Sequence, residues 1–309
     1  MSRVFVIPDI HLKPWILDRA EEELSKGQYD VCVFVGDLVD DWDQGNNLSL
    51  YKETIDRMVR FIQMHPKFKY CYGNHDVSYV WQALETGYSE RARETVLDGL
   101  DRLLESLPRE NVGFIHRIDN VLFSHAGLTK FFVERFFESS AGDTDELIAK
   151  INSFGRAEMW CDTSPIWARP QLGNIKMYPD NMLQVVGHTP VKHTDYFEGV
   201  LTVDNFSTFQ NGAPIGDQRF VWVDSITREW GFSDKGDVPV GLPDPMRDIR
   251  YYSRGDRVDF RLHEGEKTLK GCVEVLDRRF TSPDTIDIRT DEGLYKHVPL
   301  ECVVEHFKV

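Results

Sequence analysis

The chain has 309 residues, 41% of them hydrophobic, which is enough for one large or two unequal cores, and no apolar run is long enough to span a membrane. Its formal net charge of -15 argues against a nucleic-acid-binding surface, although a small phosphorylated substrate fits because bound metal ions bring their own positive charge. The five cysteines are scattered and form no CxxC pair, which favours buried thiols in a reducing cytosol over disulfides, so we expect a cytoplasmic protein.

The first part of the chain alternates between strand and helix patterns. Strands are predicted at 4–7, 31–35 and 68–72, and helices are predicted after Pro14 and over 51–64. Strands separated by helices imply parallel pairing in a layered α/β domain.

The later part is divided by a change of composition. Residues 77–110 and 129–160 favour helices, and strands are predicted at 183–186, 200–203, 219–223 and 228–231. Glycine and proline crowd into 236–245, which is typical of a linker, and short strands at 256–262, 271–276, 285–289 and 302–307 indicate a small SH3-like β-barrel. We predict a large α/β domain at 1–235, a linker at 236–250 and a small all-β domain at 251–309, which could bind a protein partner, mediate dimerisation or simply pack.

Short segments rich in aspartate and histidine follow several of the predicted strands. They are Pro8-Asp9-Ile10-His11, Gly36-Asp37-Leu38-Val39-Asp40, Gly73-Asn74-His75-Asp76, Ser124-His125-Ala126-Gly127 and Gly187-His188-Thr189-Pro190. In open α/β sheets chemistry collects at the carboxyl ends of strands, and carboxylate, imidazole and amide oxygen suit manganese, iron or zinc. Six side chains could hold two divalent ions about 3.5–4 Å apart and activate a water as nucleophile: Asp9, His11, Asp37, Asn74, His125 and His188.

Within these segments, individual residues suit different tasks. Asp37 could bridge the two ions, because Gly36 lets the backbone turn closely beside a metal. His75 suits general acid catalysis, since protonation of a leaving alkoxide needs a group with a pKa near the working pH. Asp40 could orient the imidazolium of His75.

The order D-x-H, GD-x-x-D, GNH-D, SHAG, GHTP resembles that of the calcineurin-like metallophosphoesterases over residues 3–232, and most closely their bacterial serine/threonine phosphoprotein phosphatase branch. The resemblance implies a four-layer α/β/β/α sandwich and makes residues 1–235 the catalytic domain. It places the first ion on Asp9, His11 and Asp37, and the second on Asp37, Asn74, His125 and His188. It also implies His75 as the acid, Asp40 as its partner, and Asn74 beside the substrate phosphate.

A further segment and two departures bear on the branch. Arg169, in Ser164-Pro165-Ile166-Trp167-Ala168-Arg169-Pro170, is similar to an arginine of bacterial members and would bind the phosphate with its guanidinium. Pro8 and Leu12 replace the branch's two glycines, and Asp41 stands where an arginine is usual. Arg169 would then hold the phosphate alone, or Arg156 or Lys13 would substitute.

The leading hypothesis is therefore a dinuclear phosphatase, with Mn²⁺ favoured over iron or zinc, that hydrolyses phosphomonoesters such as phosphoserine or phosphothreonine in proteins. The departures motivate a second hypothesis, a phosphodiesterase or a hydrolase of dinucleoside polyphosphates or cyclic nucleotides. A third is a non-catalytic adaptor that carries the C-terminal domain, and it predicts degraded ligand positions.

Overall fold

The computed structural model describes residues 2–137, 143–172, 175–263, 265–277 and 284–309, which form two compact units, Met1–Val240 and Gly241–Val309. In chain order the first unit contains β1 (Arg3–Ile7), α1 (Trp15–Lys26), β2 (Val31–Phe34), α2 (Leu48–Met64), β3 (Phe68–Cys71), α3 (Asn74–Trp81), α4 (Arg93–Glu105), β4 (Val112–Gly113), β5 (Ile115–Ile118), β6 (Val121–Ser124), α5 (Lys130–Phe136), α6 (Thr144–Ile151), α7 (Arg156–Met159), β7 (Leu183–Val186), β8 (Asp195–Phe197), β9 (Val200–Thr202), β10 (Val221–Asp224) and β11 (Trp230–Phe232).

Two sheets organise this unit. The first has the order β11-β10-β1-β2-β3-β4, and the second has the order β5-β6-β7-β9-β8. Pairing is parallel from β1 through β4 and among β6, β7 and β9, whereas β10 runs antiparallel to β1. Helices connect the successive strands from β1 to β4, as parallel neighbours usually require. The parallel pairing predicted for the first strands is confirmed.

The layers of the unit follow from the direction of the side chains, because successive residues of a strand point to opposite faces of its sheet. Phe5 and Ile7 of β1 pack in one core with residues of α1, α2 and α4. Val4 and Val6 face the other way and pack with β6, β7 and β9 of the second sheet. Leu122 lies on the far face of that sheet, in a core with α5 and α6. The order is therefore helices, sheet, sheet, helices.

The two long helical regions predicted from the sequence are each interrupted. Over 77–110 the α-helices are α3 and α4, because Gln82 ends α3 with a left-handed φ of 50° and a turn segment, residues 82–92, follows. A 3-10 turn at 109–111 lies at the end of this range. Over 129–160 the chain forms α5, α6 and α7, and residues 138–142 lie outside the described part.

The second unit contains β12 (Arg257–Phe260), β13 (Leu269–Asp277), β14 (Thr285–Thr290), β15 (Gly293–Pro299) and β16 (Val303–Phe307). They form one antiparallel sheet in the order β15-β14-β13-β12-β16 around a core that includes Val258, Phe260 and Ile288. Among the described residues the two edge strands, β15 and β16, do not pair with each other, so the sheet does not close into the predicted barrel. Residues 245–247 and 249–251, at the end of the predicted linker and the start of the predicted all-β domain, form 3-10 turns, and Ile249 is buried in this core.

Within the described ranges, none of the helices has both the length and the apolar character that crossing a membrane requires.

Candidate active site

The polar segments singled out in the sequence meet at the carboxyl ends of the strands. Asp9 follows β1, Asp37 follows β2, Asn74 opens α3 after β3, and His125 and His188 follow β6 and β7. Since the two sheets pack against each other, these loops from both sheets converge at one edge.

The loops carry unusual backbone conformations. Positive φ angles occur at His11 (45°), Asp37 (62°), Asp40 (66°) and His188 (65°), although the left-handed region is unfavourable for residues with a Cβ. Such strain persists only where the surroundings hold it, and here it falls on four of the predicted site residues.

Two glycines let the loops approach each other closely. A Cβ at Gly73 would overlap the Oδ1 atom and the backbone nitrogen of Asp37, and a Cβ at Gly187 would overlap Oδ1 of Asp9. The absence of a side chain at these positions therefore sets how near the two carboxylates lie to the neighbouring loop.

Asp76, which is fully buried, ties the loop after β2 to the start of α3. Its Oδ2 accepts hydrogen bonds from the backbone nitrogens of Gly73 (2.9 Å) and Asp37 (3.1 Å), and its Oδ1 accepts one from Leu38 (2.9 Å). Burial raises the pKa of Asp76 to about 6, so these backbone donors are what stabilise its charge.

Asp37 lies at the centre of the candidate metal site. Its Oδ2 is 3.7 Å from Nε2 of His11 and 3.1 Å from Nε2 of His125. Potential ligand atoms form two groups, His11-Asp37-His75 and Asp37-His125-His188, in each of which all atoms lie within 4.8 Å of one another. A carboxylate shared by both groups is in the position that a bridging ligand needs.

His125 brings further ligand atoms together. Its Nδ1 is 3.0 Å from the carbonyl oxygen of Val35, which orients the ring, and its Nε2 points into the site. Oδ1 of Asn74 lies 2.9 Å and Nδ1 of His188 lies 3.1 Å from that Nε2 atom. The four ligands predicted for the second ion are thus side by side.

Asp9 lies in the same edge but outside both groups. Its Oδ2 accepts a hydrogen bond from the backbone nitrogen of His188 (2.9 Å), while its buried Oδ1 has no hydrogen-bond partner in the described chain. Both carboxylate oxygens of Asp204, which follows β9, are likewise buried without such a partner. Burial, with the charges of Asp204 and Asp37, raises the pKa of Asp9 well above its ordinary value.

These features fit a divalent cation. Closely spaced buried carboxylates repel each other, and a bound cation would remove the cost that burial imposes on Asp9 and Asp204. Burial lowers the pKa of His11 to about 4 and that of His188 well below its ordinary value, so both imidazoles are neutral at pH 7 and have a lone pair to donate.

His75 and Asp40 form a hydrogen-bonded pair. Nδ1 of His75 is 3.1 Å from Oδ2 of Asp40, and Oδ1 of Asp40 accepts hydrogen bonds from the hydroxyls of Tyr51 (2.7 Å) and Tyr79. Burial disfavours the imidazolium, but the charges of Asp37, Asp40 and Glu85 outweigh it and raise the pKa of His75 to about 10. The imidazolium therefore has a proton to give at neutral pH.

Arg169 and Lys13 differ in the groups that their charged ends contact. Nη1 of Arg169 donates to Oγ1 of Thr189 (2.7 Å) and more weakly to the carbonyl oxygen of His188 (3.4 Å), which places the guanidinium beside a predicted ligand. The ammonium of Lys13 is 2.9 Å from Asp41 and also donates to the carbonyl oxygen of His11. Asp41 therefore neutralises the cation that the sequence offered as a substitute.

Arg156, the other substitute suggested by the sequence, donates to the carbonyl oxygen of Trp81 from an exposed position. The structure thus brings five of the six predicted ligands together, with the His75–Asp40 pair and Arg169 nearby, and leaves Asp9 at the same edge but outside both groups. The roles of these residues stay predictions.

Three residues of this site were not predicted from the sequence. Tyr51 and Tyr79 hold Asp40, and Glu85 of the 82–92 segment lies 3.0 Å from Nε2 of His75. Tyr79 comes four residues after His75, a spacing that places both on one helix face and could have identified it.

One of the comparisons with known proteins identifies the family of the chain. The family model described as calcineurin-like phosphoesterase matches residues 2–215. Among solved structures, a metallophosphoesterase from Sphaerobacter thermophilus is similar to the chain, with 14% identity, a TM-score of 0.32, and coverage of 75% of this chain and 84% of that one. A comparison with curated proteins finds no match. Since the family model covers more than half of its length, the chain belongs to the calcineurin-like phosphoesterase family and is a metal-dependent phosphoester hydrolase.

Proposed function

We propose that the chain is a dinuclear metal-dependent phosphatase that hydrolyses phosphomonoesters, with phosphoserine and phosphothreonine in proteins as its substrate class. The observation that carries the proposal is the shared position of Asp37, whose Oδ2 approaches both His11 (3.7 Å) and His125 (3.1 Å). The residues around this carboxylate would hold two divalent ions, which would stabilise the charge that develops on the attacking and leaving oxygens in displacement at phosphorus.

The proposed ligands divide between two ions. Asp9, His11 and Asp37 would hold the first, and Asp37, Asn74, His125 and His188 would hold the second. When bound, divalent ions supply Lewis acidity and a nucleophile at neutral pH. The mixture of imidazole, carboxylate and amide oxygen suits Mn²⁺, which we propose as the metal, with iron or zinc as alternatives.

His75 would deliver the proton that the leaving oxygen needs. Because Asp40 holds Nδ1, the Nε2 proton is the one left to transfer, and the two tyrosine hydroxyls fix Asp40 in turn. In the metal-free chain the charges of Asp37, Asp40 and Glu85 raise the pKa of His75, which favours the protonated imidazole that a general acid needs.

Arg169 would bind the phosphate. One of its nitrogens is held by Thr189 and His188, which fixes the planar guanidinium beside the second group of ligands. The remaining donors can fork onto two phosphate oxygens, and Asn74 would contact the same phosphate from the opposite loop.

One observation favours a second candidate function, a phosphodiesterase or dinucleoside-polyphosphate hydrolase. Asp41 occupies the position where the resembling branch carries an arginine, and it also pairs with Lys13 at 2.9 Å. The site thus has fewer free cations for a dianionic monoester, which is a smaller loss for a monoanionic diester. A non-catalytic adaptor is not retained, because the chain belongs to a hydrolase family.

For residues 251–309 we propose an SH3-like module that binds a protein partner or mediates dimerisation. Its support is the order of the strands, in which the last strand, β16, returns to pair with the first, β12.

The test compares para-nitrophenyl phosphate, bis-para-nitrophenyl phosphate and phosphoserine peptides as substrates of the purified chain with Mn²⁺. We expect monoester hydrolysis that a chelator abolishes, and a fall of about 10²–10⁴-fold in kcat for His75→Asn with the phosphoserine peptide, whose leaving alkoxide needs the proton. His193→Asn is the matched control, because that side chain is 76% exposed. Faster hydrolysis of the diester would favour the second function, and full activity of His75→Asn would refute the acid role.

A further inference from the structure

Glu85 reaches the candidate site from the 82–92 segment. Its Oε1 atom lies 3.0 Å from Nε2 of His75 and accepts a hydrogen bond of 2.7 Å from Nδ2 of Asn74. The side chain is only 7% exposed, so the carboxylate is held inside the site rather than on its rim.

The backbone that carries Glu85 packs tightly over the proton-transfer pair. Gly87 has a φ of +92°, and a Cβ at this position would lie 3.2 Å from Cβ of Asp40 and 3.8 Å from Cε1 of His75. The main chain two residues after Glu85 therefore lies against Asp40 and His75, which brings the Glu85 side chain within reach of the pair.

The two atoms that Glu85 binds are the ones that the proposed reaction needs. Asp40 occupies Nδ1 of His75, which leaves Nε2 to face the leaving oxygen, and Asn74 would face the phosphate. Substrate must therefore displace Oε1 from Nε2, and the leaving group then lies next to a carboxylate in a poorly solvated place.

We infer that Glu85 is a specificity-determining residue, which selects substrates whose leaving group is an uncharged alcohol over those whose leaving group carries a second phosphate. The inference rests on the proposed function. A neutral alcohol meets no repulsion from the carboxylate, whereas a phosphate leaving group brings a like charge within a few ångströms of it.

The experiment measures kcat/KM with Mn²⁺ for phenyl phosphate, whose leaving group is an alcohol, and for adenosine 5′-diphosphate, whose leaving group is the phosphate of AMP. The ratio of the two values is compared between the native chain and Glu85→Gln, so the intrinsic reactivity of each substrate cancels. We expect Glu85→Gln to shift the ratio towards the diphosphate by about tenfold, since it removes one charge at close range and keeps the shape.

Two variants serve as controls. Glu90→Gln removes a charge from the same segment at a position exposed to solvent and hydrogen-bonded to Tyr88, so its ratio should remain native. Glu85→Asp keeps the charge and should stay closer to the native ratio than Glu85→Gln does. A purely structural role would lower both rates together and leave the ratio unchanged.

The possible outcomes separate the inference from the function on which it rests. A native chain without phosphatase activity would refute the proposed function, and the inference with it. An active native chain whose ratio does not change in Glu85→Gln would overturn the inference alone. Loss of both activities in Glu85→Gln would also overturn it, because Glu85 would then be essential rather than selective.

Discussion

Replacing Asp204 with asparagine should stabilise the metal-free chain at neutral pH. The side chain is 1% exposed, and its two carboxylate oxygens have no hydrogen-bond partner within the described residues. Burial, opposed by the nearby hydroxyl of Ser207 and aided by the charge of Asp37, raises the pKa of Asp204 from its ordinary 3.8 to about 6, although the Ser207 hydroxyl does not reach normal hydrogen-bond geometry. The ionised carboxylate is therefore less stable in the folded chain than in the unfolded one.

The pKa shift sets the size of the effect. A shift of about two units at about 1.36 kcal/mol each makes the ionised group cost about 3 kcal/mol. Because the folded pKa is the higher one, the carboxyl is protonated in both states at low pH, and the cost grows as the pH rises from 3.8 to about 6. The variant should therefore gain about 3 kcal/mol at pH 7.5 and about half of that at pH 5.

Urea unfolding of the chelator-treated chain, followed by tryptophan fluorescence, measures this gain. All seven tryptophans lie in the first unit, so the signal reports on the unit that contains Asp204. Asp98→Asn is the control, because its side chain is 79% exposed and should change the free energy of unfolding by less than about 0.5 kcal/mol. A gain that is equal at both pH values, or no gain at pH 7.5, would refute the reasoning.

Two further predictions concern the loops. Asp40→Asn should lower kcat by about 100-fold or more. It should also move the alkaline limb of the pH–rate profile to lower pH, because the charge of Asp40 helps to raise the pKa of His75. An alkaline limb at the same pH as in the native chain would contradict this prediction. Gly73→Ala should lower the bound Mn²⁺, measured by metal analysis, because the new Cβ would overlap Asp37. Gly241→Ala, with nothing within 4 Å of its added Cβ, is the control, and full metal content in Gly73→Ala would rule out this steric argument.

A strand could be predicted from the sequence where its apolar run is long and no polar residue interrupts it. The buried run of β1 identified its strand, since it continues for four apolar residues from Val4. β5 was missed because polar His116 and Arg117 interrupt its four residues. His116 is buried all the same, with its ring nitrogen 3.0 Å from the carbonyl oxygen of Tyr70, a contact that depends on how separate parts of the chain pack.

The site residues could be predicted from the sequence where their side chains directly follow a strand. Asp37 and His125 come within three residues of a strand end, so local sequence was enough to bring them to one edge. Tyr51 and Glu85 lie in a helix and in a turn segment, and they reach Asp40 and His75 only through tertiary packing. Spacing along the chain contains no signal for such contacts.

The three hydrogen bonds of Asp76 have a consequence for the use of inactive variants. Their donors are the backbone nitrogens of Gly73, Asp37 and Leu38, and none is a side chain that would contact substrate. The outline of the two loops is thus maintained separately from the groups that carry out hydrolysis. His75→Asn can keep the shape that substrate meets while hydrolysing it about 10²–10⁴-fold more slowly, which makes this variant suitable as bait for capturing its own phosphorylated target.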